Sequence, residues 1–141
     1  MPRFNFATEI TVRFAETDAQ GIAHHAAYLV WFEVARVAYL AKFAGGYQAL
    51  RDKEIESPVI EVQVSYKRPA HFDERLTVRA RCFDLKGARF RFEYLVERDG
   101  ETIAEGSSLH ALIDARTLRP IRMPAWLLEI IESAESKEGA R

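Results

Sequence analysis

"HAAYLVWFEVARVAYLAKFAGG", His25 to Gly46, is the stretch on which the fold turns. It is apolar at nearly every position, outruns the usual strand of about five or six residues, and is rich in alanine, so it reads as an α-helix. Gly45–Gly46 end it, because glycine readily takes the left-handed conformation that follows a helix C-terminus. A membrane span needs about 20 consecutive apolar residues, and Glu33 and Arg36 in mid-run argue against one. A helix apolar nearly all round has to be buried nearly all round.

The flanking sequence supplies the wrapping. Upstream, "EITVRFAE" alternates Ile10, Val12 and Phe14 with polar residues, the period of a half-buried strand. Downstream, "PVIEVQVSYKR" sets Ile60, Val62, Val64 and Tyr66 on one face. Leu76, Val78, Ala80 and Cys82 repeat the pattern, as do Phe90, Phe92, Tyr94 and Val96, then Leu109, Ala111 and Ile113. Short turns make the last three strands antiparallel neighbours. "RPAHFD", Arg68 to Asp73, carries a proline that interrupts pairing and gives a longer connection. "MPAWLLEIIESAE" is a short amphipathic helix begun by Pro124, and "SKEGAR" after it should fray. The expected fold is α+β: one curved, antiparallel, five-stranded sheet around one long helix. A single sheet of that width leaves part of the helix bare, so a second copy is expected against it.

Composition fits one folded domain over residues 1–141, 48% hydrophobic and 29% charged. The formal net charge of −1 supplies no global field for nucleic acid or an anionic membrane, so an anionic ligand needs a local cluster. The N-terminus lacks the apolar core of a signal peptide, and the lone Cys82 suits a reducing compartment, so a cytoplasmic protein is expected. Its place among inward-facing strand residues makes Cys82 a core thiol rather than a nucleophile. There is no G-x-S-x-G elbow, no G-x-G-x-x-G, no phosphate loop, and no convincing metal-ligand spacing; the adjacent His24 and His25 alone are weak evidence. His71 and His110 read as structural.

"ETDAQGIAHH", Glu16 to His25, places a carboxylate, Asp18, just ahead of the helix. A lone aspartate there is ordinarily a cap or a turn residue. Glu33 and Arg36, one helical turn apart, read as a mutual or intersubunit ion pair, since buried charges are costly unless paired.

The run "TDAQGIAHHAAY" leading into "WFEVAR", followed by "SYKRPAHFDERL", resembles the hotdog fold, and within it the 4-hydroxybenzoyl-CoA thioesterase family of acyl-CoA hydrolases. The matching positions are Asp18, Gly21, His25 with Tyr28, and Glu33 before Ala35–Arg36; Gln20 and His24 depart from the pattern. The resemblance implies Asp18 as the catalytic carboxylate. It also implies a thioester carbonyl polarised at the Ala23–His25 helix end, with His25 acting through its backbone amide or its ring. Gly21, Ala23 and Tyr28 would contact the substrate. "DLKGARFRF" aligns with a basic cluster that grips coenzyme A in part of the family, making Lys86 and Arg89 candidates, with Arg68 a weaker one. No metal or redox cofactor is implied, since coenzyme A belongs to the acyl-CoA substrate, and a homodimer or homotetramer is expected. Two other readings share the fold. A hydratase or dehydratase would need His25 and Glu33 to converge, although they stand ~12 Å apart along one helix. A non-catalytic acyl-CoA binder would use the same donors.

Overall fold

Hydrophobic alternation becomes a sheet whose inner face is filled row by row. The computed structural model describes residues 3–136; residues 137–141, where the sequence predicts fraying, lie outside them. Strand β1 (Phe6–Thr11) leads through a single 3-10 turn, Phe14–Glu16, to helix α1 (Ala27–Phe43). Then come a short helix α2 (Tyr47–Asp52), β2 (Ile55–Glu56), β3 (Val59–Tyr66), β4 (Arg75–Lys86), β5 (Arg89–Arg98), β6 (Glu101–Ala111), β7 (Ile113–Asp114) and helix α3 (Ala125–Glu135). The five long strands form one antiparallel sheet in the order β1-β4-β5-β6-β3, and β2 pairs with β7 separately. This is the expected α+β hotdog arrangement. The 3-10 turn, α2 and the β2–β7 pair are additions that periodicity did not reveal, each too short to carry a period.

One lateral row shows how the sheet receives the helix. Phe6 lies opposite Ala80, Ala80 opposite Tyr94, Tyr94 opposite Gly106, and Gly106 opposite Val64. Directly opposed residues share a face, so large and small side chains alternate across the inner surface. The Phe32 ring of α1 drops into this row, stacked on Tyr94 with centroids 4.2 Å apart and planes 4° from parallel. Gly106 makes the room. A Cβ placed there would sit 2.5 Å from two Phe32 ring carbons and 2.8 Å from the Gln63 carbonyl oxygen. Phe32 is fully buried and has nowhere to retreat, so Gly106→Ala is expected to lower stability by about 1–3 kcal/mol through overpacking. A denaturant midpoint for the two proteins measures it.

The same register corrects one expectation. Opposite the inward Phe90, Phe92, Tyr94 and Val96 stand His110, Ser108, Gly106 and Ala104. The inner face of β6 is therefore small and polar, and Leu109 and Ala111 lie in the other phase. Apolarity misled there because Phe32 needs a small neighbour and because the buried polar residues are hydrogen-bonded. On β3, too, Ile60, Val62 and Tyr66 are exposed and only Val64 is half-buried, because β3 is the sheet's edge. The inward residues on β4 and β5 are buried as expected.

Helix α1 buries Ala27, Tyr28, Trp31, Phe32, Ala35 and Tyr39, while Leu29, Val30, Val34 and Val37 remain open in the single chain. Its end is closed by the Gly46 N–H on the Leu40 carbonyl at 2.9 Å, with Gly45 and Gly46 both at positive φ. Helix α3 packs against β4 and α1. Its Glu135 carboxylate accepts the Tyr39 hydroxyl and the backbone N–H of Cys82, a strand amide that β1 does not extend far enough to pair. Among the described residues, no helix is long and apolar enough to cross a membrane.

Candidate active site

Asp18 builds the turn on which it sits. Its Oδ1 accepts the N–H groups of Gln20 at 2.8 Å and Ile22 at 3.4 Å, its own N–H donates to the Ile22 carbonyl, and its carbonyl accepts Gly21 N–H. Gly21 at φ +79° supplies the left-handed residue that this tight reversal requires. A bridge between Thr17 and Ala23 closes the neck of the turn. The turn-residue reading of Asp18 is thus true of one carboxylate oxygen. Oδ2 has no partner among the described residues and is free for other work.

The segment from Ala23 into α1 has its backbone donors almost fully engaged. Ala23 N–H donates to the Ala70 carbonyl (2.7 Å), His24 N–H to the Glu16 carbonyl (2.7 Å), and Ala27 N–H to the His24 carbonyl (2.9 Å). Ala26 N–H is taken by the His24 ring at Nδ1, 3.2 Å away. Of the five amides from Ala23 to Ala27, that of His25 alone has no acceptor among the described residues. The expectation of a donor-rich Ala23–His25 end therefore narrows to one N–H group; Ala23 is present as a wall, not as a donor. The His25 carbonyl is fixed from the opposite side by the Tyr66 hydroxyl of β3 at 2.7 Å.

These groups share a cleft of about 390 Å³ lined by Asp18, Ile22, Ala23, His25, Tyr28, Tyr66, Lys67, Arg68 and Pro69. Asp18, Ala23, His25, Tyr28 and Arg68 converge there; Gly21 shapes the turn from outside the lining. Tyr28 is buried, edge-on to Tyr66, and burial raises its phenol above the ordinary range, with Tyr66 adding to the effect. Arg68 leans on Glu101 at 3.3 Å, with both side chains largely exposed. Lys86 and Arg89 are not brought in. They flank the β4–β5 turn at the end of β4 remote from Arg75, about 35 Å along the strand at ~3.3 Å per residue, whereas the Asp18 turn bridges to His71 near the Arg75 end. Within one chain they lie away from the cleft.

A second, mostly apolar cavity of about 520 Å³ lies beneath the C-terminal half of α1, bordered by Glu33, Arg36, Phe90, Phe92, His110 and Leu112 among others. The expected mutual Glu33–Arg36 ion pair does not form there. Arg36 instead donates to the Tyr94 hydroxyl at 2.9 Å, beginning a buried chain through Ser108 (2.7 Å) to His110 (2.8 Å) and the Ser57 carbonyl (3.1 Å). The proton order follows from the two ends. Ser57's carbonyl can only accept, so His110 Nδ1 carries the proton and Nε2 accepts from Ser108, which accepts from Tyr94. Burial, with a contribution from the Arg36 charge, pushes the His110 ring down to about 4, and the bond to Ser57 opposes that only in part. His110 is therefore a neutral structural residue, as is the buried Cys82, whose thiol burial pushes up. His25 and Glu33 border different cavities.

Sequence reasoning missed two participants. Tyr66 has the phase of an inward strand residue yet reaches the His25 carbonyl. Glu16, a carboxylate that the residue pattern leaves looking like solvent-facing polarity, is buried against α1.

Comparison with known proteins assigns the family and agrees with the fold. A Bacillus subtilis protein named "Putative acyl-CoA thioesterase YneP" is 36% identical over 123 residues, covering 84% of this chain and 89% of that protein. The crystal structure of a DHNA-CoA thioesterase from Staphylococcus aureus superposes with a TM-score of 0.83 at 32% identity, covering 92% of this chain and 89% of that one. A Thermus thermophilus thioesterase complexed with coenzyme A and Zn superposes with a TM-score of 0.82 at 27% identity, covering 99% of this chain and 98% of that one. The family model described as the thioesterase-like superfamily matches residues 12–131, from just after β1 into α3, and the chain belongs to that superfamily.

Proposed function

We propose that this protein is a thioester hydrolase that converts acyl-coenzyme A to free carboxylic acid and coenzyme A, with Asp18 as the catalytic carboxylate and the His25 backbone N–H as oxyanion donor. One observation carries the reading: the unengaged His25 amide and the unengaged Oδ2 of Asp18 belong to residues that line the same cleft. Thioester hydrolysis requires that pairing, a group that attacks or activates water and a donor for the oxygen that turns negative. Asp18 either attacks the thioester carbonyl carbon, forming a mixed anhydride as the C–S bond breaks and the thiolate leaves, with water then opening the anhydride, or takes a proton from the attacking water. Both routes end in acid and thiol.

The substrate is anionic, and Lys67 and Arg68 at the cleft rim give a local positive surface for it. Lys86 and Arg89 serve only if another subunit presents them. The open side of α1 (Leu29, Val30, Val34, Val37) and the apolar edge strand β3 (Val59, Ile60, Val62) support a homodimer, which pairing of dimers extends to a homotetramer. The coenzyme A in the Thermus thermophilus neighbour supports the same carrier here, and a cytoplasmic location is part of the proposal. The hydratase reading loses support because His25 and Glu33 face separate cavities in the chain. The test is release of free thiol from a panel of aromatic and aliphatic acyl-CoAs by the purified protein. Turnover of any member is the expected result; thiol release from none, with substrate bound or hydrated instead, overturns the hydrolase reading.

A further inference from the structure

The segment that carries Asp18 and His25 begins and ends on one residue, Glu16. Its backbone carbonyl accepts His24 N–H at 2.7 Å, drawing the far end of the segment back to its start. Its side chain is 8% exposed. Oε1 accepts the Arg13 backbone N–H at 2.8 Å, and Oε2 accepts the indole N–H of Trp31 at 2.9 Å, with the Arg13 guanidinium 3.3 Å away. Trp31 is buried on α1, one turn beyond Tyr28, and packs on the Tyr28 ring at 4.5 Å. Tyr28 in turn meets Tyr66, which holds the His25 carbonyl. The contacts close a circuit from Glu16 through Trp31, Tyr28 and Tyr66 to His25, and from His24 back to Glu16.

A carboxylate in that position is an expensive choice. Its only charged partner among the described residues, Arg13, is 69% exposed, so most of the ion-pair attraction is screened by water, while burial of the carboxylate carries its own penalty. An acceptor with two oxygens does something that a neutral side chain does not: it receives a loop amide and a helix indole at once, fixing the loop against the helix. We propose that Glu16 is a positioning residue, which through Trp31 and His24 holds the Asp18 carboxylate in register with the His25 amide. This rests on the reading of those two groups as the reacting pair.

The test compares wild type with Glu16→Gln, Trp31→Phe, their double variant and Asp18→Asn, each purified and its folded fraction measured. Glutamine keeps the shape of Glu16 but turns one of its two acceptors into a donor; phenylalanine removes the indole donor while keeping an aromatic ring. Thiol release should fall by about 10–100-fold in kcat for Glu16→Gln, the scale of a displacement near 1 Å at a reacting pair, with KM within about threefold. The double variant should be no slower than the slower single, because both remove one contact. A second readout needs no substrate: amide hydrogen exchange at Gln20, Ile22 and His24 should quicken in Glu16→Gln while the interior of α1 stays protected. A kcat loss that merely tracks the folded fraction, or loop exchange at the wild-type rate, overturns the proposal. If Asp18→Asn is inactive while Glu16→Gln keeps wild-type kcat, positioning alone fails. Should Asp18→Asn remain active, the catalytic reading fails instead, and the exchange measurement still decides whether Glu16 holds the loop.

Discussion

Asp18→Asn is expected to lower the rate of thiol release by at least ~100-fold, the scale at which positioned acid–base or nucleophilic groups act, with little change in fold. The two effects separate because the two carboxylate oxygens do different things. Oδ1 accepts the Gln20 and Ile22 amides, and an asparagine oxygen accepts them equally well, so the turn survives. Oδ2 engages nothing among the described residues, and the substitution replaces it with an amide nitrogen that neither attacks a carbonyl nor takes a proton. KM should stay close to wild type, because ground-state contacts of the acyl-CoA do not require that charge. Steady-state kinetics on one good substrate, beside a thermal melt of both proteins, decides it. Turnover that survives the change would move catalysis away from Asp18.

The second large effect is on stability in mild acid. His110 titrates near its ordinary value of 6.5 in the unfolded chain and at about 4 in the native one. Its folded pKa is depressed, so the unfolded state binds the proton first. The stability due to the neutral buried ring is complete above pH 6.5 and is lost as pH falls from there towards 4. Over that window the loss reaches about 3 kcal/mol, at no more than about 1.4 kcal/mol per pH unit. Denaturant midpoints from about pH 7 to about pH 5 should therefore fall steadily, and His110→Asn, which has nothing to titrate, should flatten that slope whatever its own cost at neutral pH. An equal slope in the variant would assign the acid sensitivity elsewhere. Protonation also reverses the end of the Arg36–Tyr94–Ser108 chain, since an imidazolium Nε2 no longer accepts the Ser108 hydroxyl.

What the sequence disclosed and what it hid divide along physical lines. Strands β4 and β5 were legible because each buries one face against α1, which writes a period of two into Leu76 to Cys82 and Phe90 to Val96. Helix α1 was legible from its length and its glycines. The phase of β6 was not, because its inner face answers to a ring on another element: Gly106 is small for Phe32, and Ser108 and His110 are tolerated only because they satisfy each other, together with Tyr94 of β5 and the Ser57 carbonyl leading into β3. Arg36 illustrates the same limit. Spacing offered Glu33 one turn away, but the fold offered a buried phenol. At the site, the motif located Asp18, His25, Tyr28 and Arg68, which the fold draws into one cleft. Which amide stays unengaged was invisible in the letters, since it depends on Ala70 and Glu16 taking the neighbouring ones. Glu16 escaped notice for the same reason, its partner Trp31 lying on a helix whose rotation no local pattern reports.

The burial of Cys82 has a practical consequence. It is the chain's one cysteine, is buried on the inner face of β4, and has its ionisation suppressed by burial. An aromatic disulfide reagent used to count liberated coenzyme A therefore sees a silent protein: colour formed during turnover comes from product, not from the enzyme. In the presence of denaturant the same reagent becomes a clock, because one equivalent of colour appears per chain only when the sheet opens. A single optical signal thus reports turnover under native conditions and unfolding under denaturing ones, and each variant carries its own stability control into the activity assay.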